Sequence, residues 1–159
     1  MSRQLTVMSL SVLLCAGGLM GQVRAEKKND FSIELGGRCL IYSLSYQRML
    51  SEQFGLEIGA SGIGGGSGGD SAAVFFLSGG GRVYFLKKAV SPYIAGGIVY
   101  VTAGTTAGPG SDWESGVYYY VSPGFEFRMS GGFFFRGSVN FLIQDGFFVW
   151  PGINLGVAF

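Results

Sequence analysis

Histidine is missing from all 159 residues. Its absence removes the general base of a Ser-His-Asp arrangement and the commonest nitrogen ligand of zinc. Charge is scarce as well. Asp, Glu, Lys and Arg make up 13% of the chain, against about 25% in an ordinary soluble domain. The net charge of +1 offers no basic stripe to nucleic acid. Cysteine occurs only as Cys15 and Cys39. If the first leaves with an export leader, Cys39 has no partner and no internal disulfide can form. Cys39 then reads as a small apolar side chain at a turn. Between Ala89 and Ser111 there is no charge at all. Pro92, Gly96, Gly97 and Gly104, with β-branched Ile98, Val99, Val101 and Thr102, make the first part of that stretch a strand and not an apolar helix.

Glycine and aromatics are abundant. Glycine supplies 29 residues and Phe, Trp and Tyr 15% of the chain, where glycine is usually about 7%. There is no Gly-x-y repeat, so the chain is not collagen-like, and the aromatics exclude a disordered linker. The start reads as an export signal. Arg3 precedes an apolar run from Leu5 to Leu19, and Val23-Arg24-Ala25 fits a small-residue cleavage pattern. Residues 1–25 are therefore expected to be removed, leaving one domain over 26–159. Two leucines before Cys15 speak against a lipoprotein site.

The last stretch, residues 147–159, has a period of two. Phe147, Val149, Ile153, Leu155, Val157 and Phe159 share one face; Phe148, Trp150, Gly152, Asn154, Gly156 and Ala158 share the other. Alternation of this kind is a strand. A strand ending on an apolar Phe resembles the C-terminal signature of bacterial outer-membrane β-barrels. Leu155, Val157 and Phe159 carry that resemblance. More loosely, the whole chain is similar to the small barrels of the OmpX, OmpA-barrel, OmpW and opacity-protein type. Residues 41–48 and 91–97 look alike to segments of such barrels. The resemblance implies an eight-stranded antiparallel transmembrane up-and-down barrel, in contact with outer-membrane lipid. It also implies assembly machinery that reads the C-terminal strand, and a possible extracellular partner at the outer loops. The lipid A-modifying barrel enzymes are of similar size but use a His, which this chain lacks.

Turn residues divide the chain. Gly-, Ser- and Asp-rich loops are expected near 64–71, 104–113 and 144–146, and tighter turns near 51–53, 87–90 and 130–132. The strands between them fall at 54–63, 72–86, 92–103, 116–129, 133–143 and 147–159. Each is about the 9–11 residues that a tilted strand needs to cross a bilayer, or longer. Parity flips at Gly36-Gly37: Phe31, Ile33 and Leu35 alternate on odd numbers, Leu40, Tyr42, Leu44 and Tyr46 on even ones. A turn there gives eight strands, and a bulge gives seven. Bacterial barrels have even strand numbers, which favours the turn and leaves both termini on the periplasmic side.

The polar face of each strand must be the lumen, because Arg or Lys facing lipid at mid-membrane costs about 2–4 kcal/mol. Pairing Met129 with Phe133 leaves the three-residue loop Ser130-Gly131-Gly132 and sets Glu126 opposite Arg136, both inward. Parity also puts Arg82 and Glu57 inside, with Glu34 beside them. The candidate site is thus a luminal charge network of Glu34, Glu57, Arg82, Glu126 and Arg136. Eight strands leave an interior that side chains just fill, so a packed polar lumen with a structural or loop-mediated role is expected. The alternative is a narrow conduit for small apolar molecules, lined by Tyr118, Tyr120, Phe148 and Trp150. Gly64 to Gly69 fits G-x-G-x-x-G, but a strand follows where a dinucleotide site needs a helix. Asp70, Asp112, Glu114 and Asp145 read as solvated loop charges. No catalytic residue, cofactor or metal ligand is expected.

Overall fold

The computed structural model describes residues 23–67, 70–107 and 110–159. Most of the leader read over 1–25 lies outside these residues; Val23–Glu26 forms a short helical turn, α1. The strands are β1 (Asn29–Gly36), β2 (Tyr42–Met49), β3 (Phe54–Ser67), β4 (Asp70–Tyr84), β5 (Val90–Ala107), β6 (Gly110–Arg128), β7 (Phe133–Ile143) and β8 (Phe147–Ala158). Each pairs antiparallel with the next, and β1 closes the circle on β8. The fold is a closed eight-stranded up-and-down barrel. No helix among the described residues is long and apolar enough to cross a membrane.

Alternation decides which way each side chain points. Ile33, Leu77, Ile98, Phe125, Phe135 and Leu155 all lie on the outer wall and are at least 44% exposed. Ser32, Glu34, Ser45, Gln47, Ser78, Arg82, Ser122 and Asn140 point inward and are buried. An apolar exterior around a polar interior is the arrangement expected where lipid, not water, meets the outer wall.

The chain turns back at Gly36-Gly37, and both glycines have positive φ, 69° and 73°. A Cβ on Gly37 would run into the Glu34 carboxylate. The pair of glycines therefore swings Gly37–Cys39, one turn of 3-10 helix, into the barrel. Gly80 has a second role. It faces inward on β4, and a Cβ there would collide with the Tyr120 hydroxyl and the Gly96 carbonyl. Leaving that Cβ out lets Tyr120, two strands away on β6, reach into the lumen past β4.

Two expected loops are instead strand. The segments near 64–71 and 104–113 extend β3–β4 and β5–β6, so that Ser67 pairs with Asp70 and Ala107 with Gly110. Their tips, 68–69 and 108–109, lie outside the described residues. Glycine and serine suggest loop by propensity, but an antiparallel partner satisfies their backbone groups just as well. Connections are thus short at both ends, and the extra length at one end lies in the strands. β3 to β6 run to 14, 15, 18 and 19 residues, while β1, β2, β7 and β8 have 8, 8, 11 and 12. The β2–β3 ladder stops at Leu44↔Ala60 and the β6–β7 ladder at Tyr119↔Ile143. Beyond those points the long strands rise as a four-stranded sheet above a low wall made by the other four.

Candidate functional site: the barrel interior

Two charge clusters occupy the lumen. Nearer the termini, Glu126 on β6 is the hub. Its Oε2 accepts from Arg136 Nε at 2.6 Å and its Oε1 from Arg128 Nε at 3.0 Å. Asp30 on β1 accepts through Oδ2 from Nη2 of both arginines, each at 2.6 Å. None of the four is more than 1% exposed. Glu126 and Arg136 are direct ladder partners, and Phe127 and Phe135 pair beside them on the outer wall.

The second cluster lies deeper toward the tall end. Arg38, carried in by the Gly37–Cys39 turn, donates from Nη1 to Glu57 and lies with Nε 3.2 Å from Glu34 Oε2. It also donates from Nη2 to Ser45 Oγ at 3.0 Å. Arg82 Nη2 meets the other oxygen of Glu57 at 2.7 Å. Tyr120 donates from its hydroxyl to Glu57 Oε1 at 3.0 Å, reaching across from β6.

Tyr84 and Gln47 join the clusters. The Tyr84 hydroxyl donates to Glu126 Oε2 at 2.7 Å, Gln47 Nε2 donates to that hydroxyl at 3.3 Å, and Gln47 Oε1 accepts from Arg82 Nη1 at 2.8 Å. The chain of contacts runs from one wall to the opposite one. Aromatic rings fill the spaces beside the guanidinium groups. Arg38 lies over Tyr120, Arg82 over Tyr93, and Arg128 and Arg136 over Phe134, at 4.0 to 5.4 Å. A buried ion pair gains from additional hydrogen bonds to what the partner leaves over; here Asp30 Oδ1, Arg38 Nε, Arg82 Nε and Arg128 Nη1 are left without a hydrogen-bond partner among the described residues.

Arg24 of α1 adds a further cation at the terminal end. Its Nη2 donates to Glu126 Oε1 and its Nη1 to the Leu86 carbonyl, both at 2.9 Å, with Tyr84 4.1 Å beneath. Leaving Arg24 aside, the buried charges of the described residues are four arginines (38, 82, 128, 136) and four carboxylates (30, 34, 57, 126). The network borne by the barrel itself is neutral.

Sequence reasoning named Glu34, Glu57, Arg82, Glu126 and Arg136, all of them buried here. It left out Asp30, Arg38 and Arg128, although Arg128 shares the inward parity of Glu126. Arg38 sits in a turn, where alternation gives no direction. Neutrality was the available signal, since the acids Glu34, Glu57 and Glu126 outnumber Arg82 and Arg136. Leu155, Val157 and Phe159 lie on the outer wall, 56%, 37% and 62% exposed. The four aromatics assigned to a conduit part company. Tyr118 and Tyr120 are buried, whereas Phe148 and Trp150 are 50% and 37% exposed at the mouth.

At that mouth a cavity of about 730 Å³ opens between the β1–β2 turn and the β7–β8 connection, walled by Leu40, Tyr118, Leu142, Phe148 and Trp150. Burial pushes the Cys39 thiol, in the turn below it, up to about 11. Asp112, Glu114 and Asp145 are exposed toward the same end.

No family model and no curated protein matches the sequence. Solved structures do match. The N-terminal β-barrel domain of Pseudomonas aeruginosa OprF aligns with a TM-score of 0.60 and 14% identity, over 84% of this chain and 99% of that one. Ail, the attachment invasion locus protein of Yersinia pestis, aligns in its complex with the heparin analogue sucrose octasulfate. The TM-score is 0.50 and the identity 15%, over 82% of this chain and 92% of that one. The chain has the fold of the small eight-stranded outer-membrane barrels.

Proposed function

We propose that the chain is a non-enzymatic barrel of a bacterial outer membrane, closed to bulk solution by its luminal ion pairs, with a structural or surface-interaction role. The observation that carries this reading is the unbroken set of contacts across the bore, from Arg38 through Glu57, Arg82, Gln47 and Tyr84 to Glu126. A bore filled by paired charges and rings has no continuous water column. In this reading residues 1–25 are an export leader, and Leu155, Val157 and Phe159 are read by the barrel-assembly machinery. The tall hairpins meet whatever partner approaches from outside. Ail was solved with a polyanionic heparin analogue; the hairpin end here carries Asp112, Glu114 and Asp145, which repel such a ligand and suit an uncharged or cationic one.

The test is reconstitution in planar bilayers. The barrel should give no stepwise conductance, and stable channel openings would overturn the closed-lumen reading. The second reading, a narrow conduit for apolar molecules, draws on the aromatic mouth. It requires a path past Arg38 and Tyr120, which uptake of an apolar dye into vesicles would reveal.

A further inference from the structure

The first half of β8 breaks the rule that the rest of the barrel keeps. Elsewhere the large apolar side chains that point inward, such as Phe76, Val99, Phe134 and Leu142, are buried in the lumen, and only the outward ones are exposed. Here Phe147, Phe148, Val149 and Trp150 are four consecutive large apolar residues, 66%, 50%, 45% and 37% exposed. A strand apolar on both faces is one that meets apolar surroundings on both. Lipid meets Phe147 and Val149 on the outer wall. Phe148 and Trp150 face inward, stacked on one another at 5.6 Å, and open into the mouth cavity of about 730 Å³.

The cavity has few free polar atoms. Trp150 Nε1 donates to the Leu40 carbonyl at 2.8 Å, and the Tyr118 hydroxyl donates to the Arg38 carbonyl. The deep walls are therefore apolar, with Gln144 and Asp145 at the rim. Leu40 is held in place by a tight turn. Its φ of 69° and ψ of −53° and the Ile41 N–H donating to the Cys39 carbonyl at 2.8 Å define a γ-turn at a non-glycine residue. Such turns are strained, and strain of this kind gathers at ligand clamps. The volume is in the range of about 300–1,000 Å³ found for small-molecule sites.

The cavity also opens sideways. It lies over the low wall, and its lining includes Ile143 and Phe147, which belong to the lipid-facing surface, with Ile41 exposed at the mouth beside them. The β1–β8 ladder ends at Gly36↔Gly152, so no β1 strand runs beside Phe147–Pro151. We propose that this notch is a binding site for one acyl chain of a membrane lipid, which leaves the bilayer between the β1–β2 turn and β8 and lies against Leu40, Leu142, Phe148 and Trp150. The proposal rests on the reading of the chain as a membrane barrel closed beneath the mouth. A closed floor at Tyr118 and Arg38 makes the notch a resting place for the chain and not an entrance.

The test uses tryptophan fluorescence. The chain has two tryptophans, and Trp113→Phe leaves Trp150 alone. The full-length variant is reconstituted in phosphatidylcholine vesicles whose acyl chains carry bromine, a contact quencher. Quenching of Trp150 is expected, although the residue points away from the surrounding lipid. Phe148→Glu, at an exposed position, should abolish the quenching by driving the chain out; Leu142→Asn is the second variant, and a heat-dependent gel shift checks that both fold. Absence of quenching in the parent would overturn the proposal. So would unchanged quenching in folded Phe148→Glu, which would mean that bromine acts through the wall. Quenching only by free brominated fatty acid, and not by brominated phospholipid, would overturn the lipid source. A conducting bore with Trp150 quenched would remove the closed lumen but keep the notch, and a non-conducting bore without quenching would do the reverse.

Discussion

Glu126 and Arg136 face each other across the β6–β7 ladder, inside the barrel, with Arg136 Nε 2.6 Å from Glu126 Oε2. Removing either partner leaves a buried charge short of one contact. Loss of one member of a buried pair costs about 3–5 kcal/mol, and the lower end applies here because Arg128 and Asp30 remain as partners. Arg136→Ala and Glu126→Ala should each lower the unfolding midpoint of the refolded barrel. The double variant should lose less than the sum of the two. Phe135→Ala, on the lipid side of the same strand, should add independently to either. Strict additivity of Glu126 and Arg136 in urea titrations would show that they do not act together.

Arg38 holds Glu34 and Glu57 at once. Arg38→Met should therefore destabilise the barrel more than Glu34→Gln does, again by about 3–5 kcal/mol at most. Adding Glu57→Gln to Arg38→Met should restore part of the loss, because the second change removes an orphaned carboxylate. The readout is the same urea midpoint; a double variant weaker than Arg38→Met alone would show that Glu57 does not depend on Arg38.

Cys39 is fully buried beneath the mouth. Its thiol rises from an ordinary 9.0 to about 11 because burial disfavours the thiolate. The folded protein should resist maleimide at pH 8 and react when unfolded, measured by mass shift in a Cys15→Ser background. The sign for stability follows from the raised value: the contribution is complete below pH 9 and is lost as pH climbs through about 11. Cys39→Ser should flatten that slope.

Phe159 is 62% exposed on the outer wall, and Ala158 is buried on the inner one. Phe159→Asp should impair insertion into the outer membrane, and Ala158→Ser should be tolerated. Cell fractionation with a heat-dependent gel shift reads both. Equal insertion of the two would leave the terminal Phe without a role in assembly.

Strands with alternating faces were legible from the sequence because the lipid–lumen contrast imposes a period of two on almost every stretch. The β6–β7 register was legible for a related reason: the two glycines of a three-residue loop and the inward charges admit one pairing. The turn at Gly36-Gly37 was visible as a parity flip. What escaped were features that alternation does not encode. Arg38 enters the lumen from a turn, Arg24 from a helical segment, and Asp30 lies at the very start of a strand. The extended hairpins escaped because Gly64 to Ser67 and the Gly-Thr run after Ala103 have loop-like composition, and only their pairing partners make them strands. Phe148 and Trp150 were legible as inward but not as exposed, since a sequence does not tell how far up the wall its neighbours reach.

The difference in strand length has a consequence for neighbours. A cylinder with an even rim presents the same profile on every bearing. This one rises along β3 to β6 and drops along β7, β8, β1 and β2. It has a front and a back within the plane of the bilayer. A molecule diffusing alongside meets either a standing sheet or a gap, and two copies turned toward each other meet differently from two copies turned away. Its encounters in the membrane are therefore a matter of heading as well as distance.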